Sequence, residues 1–301
     1  MHKPVGPTSH DIVDRARRLF DTRRVGHTGT LDPMAQGLLL LCLGKATKVA
    51  RYFTAMPKTY RATVRLGRQT TTGDAEGEIV ASGETTKITR AQIDNTLAHF
   101  RGVINQRVPP HSAVKVGGRR LYAYARKGQE VPEIVREIEI FDLAVESFAN
   151  PDLIMMVRCS GGTYIRALAR DIGDALGCGG YLVALTRTKI GEYDNCRAEN
   201  LDELAQIPSL EERVGRLRPI EEFLPFPVVM VDGDESADVL NGRQFPPGAV
   251  KKFSGRFGKG ETLLFCDRER QVLALAVAKR DSEDLTDHSG TDWFRYERVL
   301  V

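Results

Sequence analysis

The sequence lacks most of what would mark a secreted, metal-bound or membrane-embedded chain. Its 301 residues include only five cysteines, Cys42, Cys159, Cys178, Cys196 and Cys266, widely spaced and never in a C-x-x-C pair. That pattern argues against both a disulfide framework and a zinc site, so the thiols are read as reduced and structural. Apolar runs are short. Leu38 to Leu43 spans six residues, against the about 20 needed to cross a bilayer. Met1 to Gly6 lacks the apolar stretch of a secretory signal, and a cytoplasmic protein is expected. Internal repeats and low-complexity tracts are missing as well.

What is present fits an ordinary globular chain, with 42% hydrophobic and 28% charged residues. Its length suggests one large and one small domain. The net charge is only +3, but it is unevenly spread: residues 225–301 hold 11 Lys+Arg against 13 Asp+Glu. The sharpest basic excess lies between Arg101 and Arg136, with eight basic and two acidic residues. Such a density suits a phosphate backbone, although a basic stretch is more often a solvated face.

Hydrophobic spacing predicts the elements. Ser9 is placed to cap a helix whose positions Ile12, Val13, Ala16, Leu19 and Phe20 follow the helical period to about Asp21. Leu38 to Leu43 reads as one buried strand, and a second helix is expected from Ala46 to before Pro57. Lys58 to Gly67 alternates strictly, with Tyr60, Ala62, Val64 and Leu66 on one face. Thr89 with Gln92 forms a capping-box signature ahead of Ile93, Leu97 and Phe100. Strands follow over 133–148 and 153–159, a helix over 163–176 capped by Thr163, and an extended segment over 181–190. This irregular mixture implies an α+β fold around a largely antiparallel mixed sheet with flanking helices. An acidic helical stretch, Glu199 to Glu222, leads to Pro225-Phe226-Pro227, where the domain boundary is placed. Residues 1–224 form the expected catalytic domain. Residues 225–301, with strand candidates over 228–231, 261–267, 272–279 and 293–301, suggest a small β-barrel module.

Two segments carry chemistry. In Gly26-His27-Thr28-Gly29-Thr30-Leu31-Asp32-Pro33, Pro33 keeps Asp32 out of helical geometry and leaves its carboxylate on a restricted loop. These are also ordinary turn residues, and an isolated Asp-Pro is usually a surface turn. In Ser160-Gly161-Gly162-Thr163-Tyr164-Ile165-Arg166, a glycine pair turns into a helix with Arg166 in its first turn. A cation there opposes the helix dipole unless an anion lies nearby. Tyr60 points into a core or a lined cleft. His27 has no second ligand at metal spacing, so no metal is expected. Gly37 to Lys45 has six residues between its glycines and Ala46 in place of Ser or Thr. A phosphate-binding loop needs four, so no nucleotide cofactor is expected.

Lys3-Pro4-Val5-Gly6-Pro7-Thr8-Ser9, the Gly26 to Pro33 segment, Gly37-Leu38, Gly44-Lys45-Ala46-Thr47-Lys48, Lys58-Thr59-Tyr60 and Ser160 to Arg166 resemble the motifs of TruB-type tRNA pseudouridine synthases. So do Pro109-Pro110, Ser112-Ala113-Val114-Lys115 and Leu121-Tyr122. The matches run in family order through most of residues 1–190. The tail, with Leu240-Asn241-Gly242-Arg243, looks like the PUA-type RNA-binding module of such enzymes. One departure is visible: the family places an apolar strand before the Lys-Pro-x-Gly motif, and here only Met1 and His2 stand there.

The resemblance implies isomerisation of uridine to pseudouridine at position 55 in the T arm of tRNA, without a cofactor. Asp32 matches the family nucleophile, Arg166 the arginine paired with it, and Tyr60 the aromatic that stacks on the base and is a candidate proton acceptor. His27 matches the residue that fills the space of the flipped base. Lys3 and Lys48 match positions near the site that support structure or contact phosphates. Independently of the resemblance, the basic stretch offers Lys115, Arg119, Arg120 and Arg126 as phosphate contacts. The expected partner is tRNA, with no membrane and no obligate assembly, so a monomer. Two other readings are a tRNA-folding chaperone without chemistry and an aspartate-dependent hydrolase, the latter explaining neither the basic stretch nor the tail.

Overall fold

The computed structural model describes residues 1–112, 114–121, 124, 129, 131–250, 252–286 and 290–300. Two compact units emerge from the packing. The first comprises Met1–Arg15, His27–Leu41 and Phe53–Glu203, and the second Ala16–Gly26, Cys42–Tyr52 and Leu204–Val301. No described helix is long and apolar enough to cross a membrane.

The first unit is built on a mixed sheet. Its strands are β1 (His2–Lys3), β2 (Ala35–Leu38), β3 (Lys58–Leu66), β4 (Gly102–Arg107), β5 (Val135–Ala149), β6 (Asp152–Cys159), β7 (Gly180–Ile190) and β8 (Tyr193–Asp194). They lie in the order β1-β2-β7-β3-β6-β5-β4, with β8 paired to β7. Only β2 with β7 is parallel; the other described neighbours are antiparallel. The central strand β3 buries Tyr60, Ala62, Val64 and Leu66, as its alternation predicts. Where the family places a longer apolar strand, β1 is two residues long at the sheet edge.

Helices α1 (Ser9–Leu19), α2 (Arg90–Ala98) and α3 (Ile165–Ala175) flank these strands in sequence. In α2 the Thr89–Gln92 capping box forms in both directions, and Ile93 and Leu97 are buried. Helix α3 buries Ile165, Leu168, Ala169 and Ile172 in the same core as β3. It lies so close to β7 that a Cβ on Gly173 would come within 2.2 Å of the backbone of Gly179 and Gly180. Only glycine permits that approach.

Several local expectations are corrected. Thr8, not Ser9, caps α1: its Oγ1 accepts from Asp11 N–H at 3.1 Å, and Asp11 Oδ2 accepts from Thr8 N–H at 2.8 Å. Thr163 does not cap α3; its hydroxyl donates to the Ser160 carbonyl. The Leu38 to Leu43 run divides into β2 and a second short strand, Leu41–Leu43, because the Leu39 N–H and Leu40 carbonyl bond to Met1 and Thr28 instead. Apolar periodicity cannot reveal such a break. The acidic stretch is broken into Leu201–Ala205, Leu210–Gly215 and a turn at Ile220–Glu222, with Pro208 and Pro219 between them.

In the second unit β9 (Val228–Met230), β10 (Lys252–Ser254), β11 (Thr262–Cys266), β12 (Val272–Ala278) and β13 (Phe294–Val299) form a five-stranded sheet ordered β10-β9-β11-β12-β13. Helix α4 (Gly233–Leu240) follows β9. Strand β10 has no alternation long enough to be foreseen. The core is aromatic: Phe245, Phe265, Trp293 and Phe294 are fully or nearly buried, and Trp293 Nε1 donates to the Phe245 carbonyl at 2.8 Å. That bond satisfies the one polar atom of the largest buried side chain.

Candidate active site

The loop carrying Asp32 is pinned by three side chains, those of Arg187, Ser9 and Lys3. Arg187 on β7 is 1% exposed, and its Nη2 donates to the Gly29 carbonyl at 2.9 Å while Nε donates to Leu38 at 2.7 Å. Ser9 Oγ donates to the Leu31 carbonyl at 3.0 Å and accepts from Leu31 N–H at 2.8 Å. The Lys3 ammonium donates to the carbonyls of Ala35 at 2.6 Å, Pro4 at 3.0 Å and Pro33 at 3.3 Å. Leu31 is buried in the core, so the following side chain, Asp32, faces a pocket.

That pocket has a volume of about 250 Å³. It lies just below the about 300–1,000 Å³ of drug-sized sites. Asp32, Arg166 and Tyr60 line it together, with Lys58, Leu185 and Arg187. Ser112 also lines it, and its buried hydroxyl has no hydrogen-bond partner among the described residues.

Arg166 extends from the first turn of α3 to Asp32. Its Nε lies 3.0 Å from Asp32 Oδ2 and its Nη2 3.5 Å from Oδ1, a side-on fork. Nη1 donates to the Thr72 carbonyl at 2.9 Å and Nη2 to the His111 carbonyl at 2.9 Å. Behind it, Asp74 Oδ2 lies 3.3 Å from Nη1. The anion that the helix position calls for is therefore present twice.

The electrostatics of Asp32 are balanced. Burial pushes its carboxyl up from the usual aspartate value, the Arg166 guanidinium pulls it down, and Asp74 pushes it up again, leaving it raised. Burial also pushes the Tyr60 phenol up, against a smaller downward pull from Arg187. The phenol is thereby held in its protonated form. Lys58, with its ammonium on the carbonyls of Phe53, Thr54 and Met56, is lowered by burial to about 8.

The remaining predicted residues lie elsewhere. His27 is half-buried two residues before the loop, with its Nδ1 accepting from Gly29 N–H at 3.3 Å, and does not line the pocket. Lys3 is fully buried and braces the loop, the structural one of the two roles that the resemblance implies for it. Lys48 belongs to the second unit, where its ammonium donates to the Val299 carbonyl at 3.2 Å. Arg119 is exposed and pairs through its backbone with Val116, as Arg120 does with Lys115, in a short hairpin. Arg126 lies outside the described residues. Within the wider basic stretch, Arg101 is spent on the Leu143 carbonyl and Arg107 on Glu133.

Asp74, Arg187, Lys58 and Gln106 were not singled out by sequence reasoning. Gln106 on β4 bonds both the N–H and the carbonyl of Tyr164. Asp74, Arg187 and Gln106 gain meaning from partners distant in the chain that no local spacing announces, whereas Lys58 is held by carbonyls of the turn just before it.

Comparison with known proteins places the chain in a family. The sequence matches the TruB family pseudouridylate synthase (N terminal domain) over residues 17–165 and the tRNA pseudouridylate synthase B C-terminal domain over residues 166–224. A protein named tRNA pseudouridine synthase B from Azoarcus sp. (strain BH72) is 46% identical over 287 residues, 93% of this chain and 95% of the relative. The chain belongs to the TruB pseudouridylate synthase family. Another relative of the same name, from Mycobacterium tuberculosis (strain CDC 1551 / Oshkosh), is 42% identical over 91% of this chain and 89% of its own. Among solved structures, an H/ACA RNP bound to a substrate RNA containing 2'-deoxyuridine matches with TM-score 0.73 at 22% identity. A Cbf5-Nop10-Gar1 complex matches with TM-score 0.73 at 24% identity. Each match covers all of this chain and 83% of the other. At that identity the likeness is one of fold.

Proposed function

We propose that this protein isomerises uridine to pseudouridine at position 55 in the T arm of tRNA, with Asp32 as nucleophile. The observation that carries the reading is a carboxylate in a pocket, held by a guanidinium that three backbone or carboxylate partners fix in turn. In the reaction the N1–C1′ bond breaks and a C5–C1′ bond forms. The C5 proton is lost and N1 ends protonated, so no electrons are exchanged. Asp32 supplies the attacking oxygen and Arg166 keeps it ionised and aimed. Tyr60 stacks on the uracil, and the free Ser112 hydroxyl is available to a polar atom of the flipped nucleoside. A stacked base cannot bring its glycosidic carbon to Asp32, so extrusion is required.

Residues 1–224 carry the chemistry and 225–301 an RNA-binding module read as a PUA-like barrel. The end of the family match at residue 224 and the separate aromatic core of the β9–β13 sheet support that division. Lys115, Arg119, Arg120 and Arg126 follow the tRNA backbone, His27 takes the space of the flipped base, and the protein acts as a cytoplasmic monomer. A pocket with a charge-paired carboxylate favours catalysis over a chaperone role, which needs neither. The deciding experiment is tritium release from tRNA labelled at C5 of uridine. Release by the parent and none by Asp32→Asn, with tRNA affinity retained, is expected; release by Asp32→Asn would exclude Asp32 as nucleophile.

A further inference from the structure

We infer that Gln106 is a positioning residue for this reaction, holding the start of the helix from which Arg166 reaches Asp32; the inference rests on the function proposed above. Gln106 lies on β4, an edge strand of the main sheet, yet it is only 1% exposed. Its side-chain amide forms a closed pair with the backbone of one residue. Nε2 donates to the Tyr164 carbonyl at 3.1 Å, and Oε1 accepts from Tyr164 N–H at 2.8 Å.

Tyr164 immediately precedes α3, and its own side chain makes no capping hydrogen bond. The opening of a helix leaves backbone groups without intrahelical partners, and side chains usually supply them locally. Here the anchor comes from a strand far away in sequence. With the Tyr164 backbone fixed, the first turn of α3 is fixed, and so is the direction in which Arg166 leaves it. Gln106 does not line the pocket and therefore acts only through that turn. The continuation of the same strand meets Arg166 again, since the His111 carbonyl accepts from Nη2 at 2.9 Å. One segment thus braces the arginine at its backbone and at its guanidinium.

The residue type is specific to this task. The backbone of one residue presents one donor and one acceptor, and a neutral amide matches both. Glutamate would accept but not donate, and an apolar side chain would leave the Tyr164 N–H unpaired, while the Tyr164 carbonyl would keep only its bond from Leu168 N–H. A misplaced Arg166 would then loosen its hold on Asp32.

The test uses Gln106→Glu, which keeps size, and Gln106→Met, which removes both bonds. Both are expected to lose kcat by about ten- to a hundredfold in the tritium-release assay. KM for tRNA should stay within about twofold, because Gln106 makes no contact with the substrate. The acid limb of kcat should move to higher pH, since the Arg166 charge is what pulls Asp32 down. In an Arg166→Lys background, Gln106→Met should cost little further.

A purely architectural role would lower the melting temperature while leaving the acid limb in place and the two substitutions additive. That result overturns the proposal, as does an unchanged kcat in a folded variant. If neither variant folds, hydrogen exchange on the parent decides: a Tyr164 amide as protected as the interior of α3 supports the clamp, and loop-like exchange overturns it. Failure of the underlying function is distinguishable, because the parent itself would then release no tritium.

Discussion

Asp32 and Asp74 share one guanidinium: Arg166 Nε is 3.0 Å from the first and Nη1 3.3 Å from the second. Their exposures separate their roles. The Asp32 side chain is 34% exposed and opens on the pocket, whereas that of Asp74 is 4% exposed and sits behind the arginine. Asp74 Oδ1 also accepts from the Thr72 hydroxyl and from Glu76 N–H. The half-buried carboxylate opens on the pocket and is free to react, and the fully buried one is engaged on every side.

This arrangement sets the pH dependence. Asp32 must be ionised to attack, so activity exists above its pKa and is lost as pH falls through it. Because that pKa is raised, the acid limb of kcat should lie above the ordinary aspartate value of 3.8. Replacing Asp74 with Asn removes one of the upward influences, so the limb should move to lower pH while kcat falls. A limb that stays put in the pH profile of Asp74→Asn would show that Asp74 does not act on Asp32 through charge.

Arg166→Lys keeps the charge but loses the planar fork. A large loss of kcat with nearly normal tRNA binding is expected, and a lysine variant as fast as the parent would refute the pairing. Arg166→Ala should lose more activity and also stability, by about 3–5 kcal/mol, since it strands the buried Asp74 carboxylate. Adding Asp74→Asn to Arg166→Ala should recover part of that stability in denaturant unfolding, without recovering activity.

Ser9 supplies both partners of the Leu31 peptide, next to the nucleophile. Ser9→Ala leaves that peptide unpaired in a buried place, at a cost of about 1–3 kcal/mol. Chemical denaturation should register the loss, and kcat should fall with little change in tRNA affinity. Unaltered stability would mean that the two bonds do not persist in solution.

For Lys115, Arg119, Arg120 and Arg126, each phosphate contact removed should reduce the slope of log K against log salt by about 0.7–0.9. A quadruple alanine variant with the parental slope in tRNA-binding titrations would place the RNA elsewhere.

The sequence by itself determined the elements whose signal is local. The alternation in β3, the Thr89–Gln92 box and the strands of the tail other than β10 depend on neighbours within a turn or a strand, and they were legible. So was the family, because its motifs are runs of adjacent residues around Asp32, Tyr60 and Arg166. What only the tertiary structure decided is how those motifs are held. Ser9 reads as a helix cap until Leu31 is found beside it, and Lys3 stands between a structural role and a phosphate contact until three carbonyls enclose it. Asp74, Gln106 and Arg187 carry no local signature at all. Their partners, Arg166, Tyr164 and the Gly29 carbonyl, meet them only when distant segments close on one another. A buried charge or amide is defined by what surrounds it, and that is a property of the packed sheet.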